Sequence, residues 1–217
     1  MSPPAPSGPA RRFVVLGRRT PGSPAFSLVD LPSTSGRLDV LLRCLRAALL
    51  VSHGLRRDTI VYLVLLGAPE APRTLRIDGA TAKYLRPDER SLAILVQKSL
   101  AAPARGPGFV PVRPGIAVAE GGLDVVLADL GAARFFVLEE GAEDLRDAPL
   151  GADPAVFFLG DDRGFDAATR ASFAELGARA IGVGPVSLHA DDVVALVHNE
   201  LDRRRPLLAA SPEEGVA

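Results

Sequence analysis

The sequence predicts an α/β domain with a mainly parallel sheet. Apolar runs of strand length recur along the chain, and stretches with apolar residues at helical spacing alternate with them. Strands separated by helices imply crossover connections and so parallel pairing. No internal repeat and no linker-like stretch divides the 217 residues. One domain over 12–205 is therefore expected, between a Pro/Ser/Ala-rich disordered tail over 1–11 and a loose tail over 206–217.

The elements follow in order. RFVVLG at 12–17 is a first strand, and the Pro-, Ser- and Gly-rich stretch 20–36 is a long loop. Over 38–52, Leu38, Leu41, Leu42, Leu45, Ala48 and Leu49 recur at helical spacing, with Asp39, Arg43, Arg46 and His53 on another face. TIVYLVLLG, Thr59–Gly67, is apolar almost throughout, as in a strand buried on both faces. Arg73–Asp78 is a short strand closed by Gly79. Pro87, Asp88 and Glu89 open a helix to about 101, because proline and acids suit a first turn. Its core face is Leu92, Leu95, Val96 and Leu100. Proline and glycine break up 103–117. A short helix over 121–130 and strands over 134–139 and Ala155–Gly160 come next. Asp166 caps a helix over 166–176. A strand over 180–184 leads to a last helix over 190–204, whose apolar stripe is Ala190, Val193, Val194, Val197 and Leu201.

Composition narrows the function classes. With 47% hydrophobic residues the chain can bury a sizeable core. Its single cysteine, Cys44, excludes an internal disulfide and suits a reducing, cytoplasmic setting. The N-terminus lacks the apolar run of a signal peptide, and the longest apolar run is strand-sized, so no membrane association is expected. Net charge is -1, yet residues 1–110 hold 16 Lys and Arg against 7 Asp and Glu, while 111–217 hold 9 against 19. Such asymmetry points to a basic face for a polyanion, unless the folded halves interleave and the charges mix.

Three strands of the second half end in loops of small or acidic residues: FFVLEEG, VFFLGDDRGF and IGVGPVSLHADD. Ligands of open α/β sheets bind beyond the carboxyl ends of strands, so the three loops are candidates for one pocket. No GxGxxG, no phosphate-binding GxxxxGK[ST] loop, no GxSxG and no HxH or CxxC spacing occurs, and three histidines are too few for a metal site. Gly182, Gly184 and Pro185 interrupt the chain between the last strand and helix, either as a plain turn or as a ligand-holding loop.

RFVVLG, GRLDVLLRCLRAALLVSHGLRRD, VYLVLLG, LRPDERS, FFLGDDRGF, VGPVSLHADD and LVHNELDR together resemble the archaeal tRNA pseudouridine-54 N1-methyltransferase family of the SPOUT superfamily. The resemblance spans about 12–204 and keeps the motif order. It implies helices on both faces of the sheet, a C-terminal trefoil knot, S-adenosylmethionine (SAM) as methyl donor, tRNA as substrate and a homodimer. Leu138 would line the cofactor pocket, Leu159, Gly160 and Asp161 would form a second wall, and Val183, Gly184, Ser187 and Leu188 a third. The family usually reads SLLADHC, whereas this chain reads SLHADDV. Val193 thus stands at the customary cysteine and Asp192 at the customary histidine, and Val193 can still pack on the cofactor. The dimer would use the last helix.

Methylating N1 of pseudouridine requires loss of the N1 proton, which suits a carboxylate base and a cation for the uracil anion. Asp58 is the candidate base or orienter and Arg90 of RPDERS the candidate contact for the anion and the RNA, with Asp88 a further carboxylate at the same helix start; alternatively Asp58 only ends a helix and Asp88 only caps the next. Arg18, Arg19, Arg37, Arg43, Arg56 and Arg57 are candidate RNA contacts, because guanidinium forks suit phosphate. Two alternatives keep the fold: methylation of pseudouridine in ribosomal RNA, or an RNA-binding factor that no longer binds SAM. A small-molecule α/β enzyme would leave the basic first half without a role.

Overall fold

The computed structural model describes residues 11–68, 71–103, 106–150 and 154–204. The expected terminal tails fall outside this range except for Arg11, which opens the first strand and is 1% exposed.

In chain order the elements are β1 (Arg11–Pro21), α1 (Leu31–Thr34), α2 (Leu38–Leu49), β2 (Leu50–Val51), β3 (Gly54–Leu55), β4 (Thr59–Gly67), β5 (Arg73–Asp78), α3 (Glu89–Leu100), β6 (Val110–Arg113), β7 (Ile116–Glu120), α4 (Leu123–Asp129), β8 (Arg134–Asp144), β9 (Ala155–Gly160), α5 (Ala167–Glu175), β10 (Arg179–Gly182) and α6 (Ala190–Arg204). The large sheet runs β10-β8-β9-β1-β4-β5-β7-β6. From β10 to β4 neighbours are parallel, and from β4 to β6 they are antiparallel. The strands β6 and β7 replace the irregular stretch expected over 103–117. Gly115 turns between them with φ +71, so the glycines that hid them from a reading by composition are their hairpin.

Alternation along β1 builds two cores. Phe13 and Val15 face α2, α3 and α6, while Val14 and Leu16 face Val126 of α4 and Phe173 of α5. Helices thus cover both faces. On the first face Phe136, Phe157 and Phe13 stack across β8, β9 and β1 at 5.4 Å centroid spacing, and the His198 ring closes the row 4.8 Å from Phe13.

The stripe on α6 is covered within the chain. Val194 and Val197 are fully buried, and Ala190, Val193 and Leu201 pack at the margin of the same core. At its far end α6 is tied to β1: Arg11 donates to His198 Nδ1 at 2.8 Å and to Asp202 at 2.6 Å. His198 Nε2 lies 3.0 Å from the Ala48 carbonyl of α2. A proton on Nε2 satisfies both contacts, so the ring is neutral here. Burial, followed by the charges of Arg56 and Arg11, pushes its pKa down to about 3.

Candidate active site

The pocket arises from a break in strand pairing. Ala180 of β10 pairs with Val137 of β8, but the next residue, Ile181, pairs with Glu143. Residues 138–142 therefore leave the ladder as a bulge. Leu138, Glu139 and Glu140 turn into a cavity of about 680 Å³ at the carboxyl ends of β8, β9 and β10. That volume and a half-apolar lining suit a drug-sized ligand.

Every residue expected at the cofactor pocket lines this cavity: Leu138, Leu159, Gly160, Asp161, Val183, Gly184, Ser187, Leu188 and Val193. Asp192 does not line it, although its neighbour Asp191 does. Two glycines are needed locally. A Cβ on Gly160 would lie 2.7 Å from Gly164 Cα and 2.9 Å from its carbonyl carbon, so the loop after β9 closes only on glycine. Gly184 has φ +140, where side chains are disfavoured, and a Cβ there would meet only open space. The break at Gly184-Pro185 thus leaves bare backbone beside the cavity.

The Asp161 side chain is committed to the loop. Its carboxylate accepts from the backbone amides of Arg18 at 2.7 Å and Arg163 at 2.9 Å, which fixes the turn that carries Gly160. Ser187 donates to Glu140 across the cavity mouth. Sequence reasoning missed Phe165, Arg170 and Val40. Arg170 pairs with Glu139 and stands 5.8 Å from the Phe165 ring centroid. Phe165 was within reach as the aromatic end of VFFLGDDRGF; Arg170 and Val40 have no distinguishing signal.

Arg37 and Arg43 reach the same cavity from α2. Arg37 sits at φ 70 and grips Asp39 with both arms of its fork, at 3.0 and 3.2 Å. Arg43 bonds the same carboxylate at 3.0 Å and approaches Asp191 at 3.7 Å and Glu89 at 4.0 Å. Burial alone would raise the Asp39 pKa, but hydrogen bonds from Arg37 and Arg43 outweigh it and hold the carboxyl below its ordinary value.

The expected base and its companions are elsewhere. Asp58 precedes β4 at the amino end of the strand, remote from the cavity, 3.9 Å from the Arg11 guanidinium. Parallel pairing of β1 with β4 and β9 puts it at the amino ends of these strands, opposite the end that carries the cavity. Asp88 is the N-cap of α3, accepting from Ser91 N at 2.8 Å, and hydrogen bonding with the Ser91 side chain, then its backbone, holds its pKa below the ordinary value. Arg90 is exposed and outside the cavity lining.

The arginines expected at RNA divide in the same way. The two halves of the chain interleave, and carboxylates of the second half neutralise arginines of the first. Arg18 lies 3.8 Å from Asp166, Arg19 2.7 Å from Asp162, and Arg56 2.9 Å from Asp202. Arg57 instead donates to the carbonyls of Gly79 and Ala80. The charge split along the sequence is therefore partly cancelled within the fold.

Comparison with known proteins supplies the context. Residues 10–206 match a family model described as "Putative SAM-dependent RNA methyltransferase". The chain is 41% identical to the tRNA (pseudouridine(54)-N(1))-methyltransferase of Methanosarcina acetivorans over 193 residues, covering 89% of this chain and 91% of the relative. It is 43% identical to the enzyme of the same name from Halobacterium salinarum over 194 residues, covering 88% and 96%. Archaeoglobus fulgidus Nep1, solved with S-adenosylhomocysteine, shares the fold with a TM-score of 0.58 at 17% identity, covering 90% of this chain and 98% of that one. With a match across nearly its whole length and relatives above 40% identity, the chain belongs to this RNA methyltransferase family.

Proposed function

We propose that this protein is a SAM-dependent methyltransferase that modifies N1 of pseudouridine in RNA, at position 54 of tRNA. The observation that carries the proposal is one cavity at the carboxyl ends of β8, β9 and β10, lined by every residue the family resemblance assigns to the cofactor. The names of the relatives support the tRNA position.

The residues present suit the cofactor. Leu138, Leu159, Val183, Leu188 and Val193 are apolar walls for an adenine and exclude water from it. The bare backbone at Gly184 leaves room for close approach, and the acidic lining suits a cationic ligand. When bound, SAM supplies an electrophilic methyl group on sulfur. The protein's part is to orient the uracil ring and receive its N1 proton. With Asp58 and Asp88 outside the cavity, Asp191 takes the role of base: it is 21% exposed, lines the cavity and faces the Arg43 guanidinium, which suits an anion. No metal enters this scheme.

The assignment extends to a trefoil knot formed by the segment through 182–192, to a homodimer and to a cytoplasmic location. Val186 at 68% exposure and Leu188 at 42%, beside the cavity mouth, are apolar surface suited to a second copy. Among the described residues no helix is long and apolar enough to cross a membrane.

The test starts with calorimetric titration of S-adenosylhomocysteine, expected to bind at one site per chain. Transfer of labelled methyl groups then compares tRNA carrying pseudouridine or uridine at position 54, with transfer expected only to the former. Asp191→Asn is expected to lower kcat and leave cofactor affinity in place. An absence of cofactor binding at millimolar concentration overturns the enzyme reading and favours the RNA-binding factor; transfer to ribosomal RNA alone overturns the tRNA assignment. Light scattering at the mass of a single chain overturns the dimer.

A further inference from the structure

A second cavity, of about 950 Å³, lies at the other end of α2, between β2, β3 and the segment that leads into α3. Its lining includes Arg46, Arg57 and Lys83 and contains no acidic residue. Tyr84 lines it too, 90% exposed and at φ 62, a conformation that a bulky residue rarely adopts. The other tyrosine, Tyr62, is buried, and the chain has no tryptophan, so this ring is an isolated aromatic surface in water.

The charges here differ from those at the first cavity. There each arginine is matched by a carboxylate. Among the described residues, the side chains of Arg46 and Lys83 make no hydrogen bond or ion pair, and Arg57 is held by backbone carbonyls, which leave its positive charge uncompensated. The two cavities adjoin the same helix: Arg43 lines the first and Arg46 the second, about 5 Å apart along the α2 axis.

Uncompensated cations around an exposed ring are what single-stranded nucleic acid binding requires: cations for phosphates and a flat face for a base. We propose that this cavity docks a single-stranded segment of the RNA substrate, with one nucleobase stacked on Tyr84 and flanking phosphates on Arg46, Arg57 and Lys83. The proposal rests on the reading that the protein acts on RNA. The strained backbone at Tyr84 presents the ring outward instead of letting it fold onto the neighbouring Leu85 and Val51. The path along α2 leads the strand from this site to the cofactor cavity.

The test measures binding of a tRNA transcript by fluorescence anisotropy across a salt series, together with S-adenosylhomocysteine titration of each variant as a check on folding. Tyr84→Ala is expected to weaken tRNA binding by about 5- to 100-fold, the range of base–aromatic stacking, whereas Tyr84→Phe binds like the parent. The double variant Arg46→Ala, Lys83→Ala is expected to lower the slope of log affinity against log salt by about two, one for each lost phosphate contact. Cofactor affinity is expected to stay unchanged in all three. If Tyr84→Ala and the double variant bind tRNA like a parent that methylates it, the docking site is overturned and the function stands. If Tyr84→Ala alone is silent, or heparin competes equally well with parent and Tyr84→Ala, the site is an electrostatic patch and the stacking role is overturned. A parent that neither binds nor methylates tRNA overturns the function, and this site with it.

Discussion

The neutral ring of His198 makes folding stability depend on pH in a defined window. In the unfolded chain the imidazole has its ordinary pKa of 6.5; in the fold, burial and the nearby Arg11 and Arg56 charges bring it to about 3. Between these values the unfolded state holds a proton that the folded state refuses, so stability falls as the pH falls. Each pH unit costs about 1.4 kcal/mol. Going from pH 6.5 to pH 4.5 therefore removes about 2–3 kcal/mol, a substantial part of a typical domain's stability. Asp202 and Asp39 also have lowered pKa values, but their contribution is lost only below the ordinary carboxylate range, outside this window. The assay is urea denaturation at half-unit steps from pH 4.5 to 7.5, comparing the parent with His198→Gln. The glutamine amide accepts from Arg11 and donates to Ala48 without titrating. The parent is expected to lose stability toward acid and the variant to stay nearly level. Parallel curves, or a parent that gains stability toward pH 4.5, would refute the assignment of a buried neutral imidazole.

Other expectations are more direct. Gly160→Ala places a methyl 2.7 Å from Gly164 Cα and is expected to weaken S-adenosylhomocysteine binding at least about 10-fold, since a shift near 1 Å in a positioning loop has effects of that order or greater; unchanged calorimetric affinity contradicts it. Asp58→Asn is expected to lower the melting temperature while kcat stays near the parent value, because its partner is Arg11 and not substrate; a collapse of kcat in a folded variant would restore Asp58 as base. Asp88→Asn keeps an N-cap acceptor and is expected to be neutral for turnover, with Asp88→Ala measurably less stable. Cys44 is fully buried and burial pushes its thiol well up, so Ellman's reagent is expected to label it only at the rate of unfolding.

The regular core was legible because its residues obey one period each. Thr59–Gly67, Arg73–Asp78 and Ala155–Gly160 appear with the bounds read from sequence, and Asp166 caps α5 as expected. The strands β6 and β7 were hidden by the prolines and glycines that build their turn and flanks. The residues that line the cavity were legible through family motifs, since nothing in local periodicity signals that 138–142 leave the ladder. Asp58 and Asp88 were singled out as catalytic but lie outside the cavity lining, because a carboxylate at an element boundary looks the same in sequence whether it caps, pairs or reacts. Charge counted along the chain misled for a topological reason: β1 lies between β9 of the second half and β4 of the first, so Arg18 and Arg19 meet Asp166 and Asp162. The cations that escape this neutralisation, Arg46 and Lys83, stand where no strand of the acidic half arrives.

The bond set around Arg11 has a consequence for how the chain must be made. A guanidinium that is 1% exposed waits at the start of the first strand for His198 and Asp202, almost two hundred residues downstream. Until α6 docks, that cation sits partly desolvated beside Asp58 without its bonds to His198 and Asp202, which is costly. The nascent chain therefore gains little by completing its sheet early, and the carboxyl-terminal helix serves as the final latch of assembly. A chain cut before Ala190 loses His198 and Asp202 and, with them, the first turn of α6 whose Ala190, Asp191 and Val193 line the cavity.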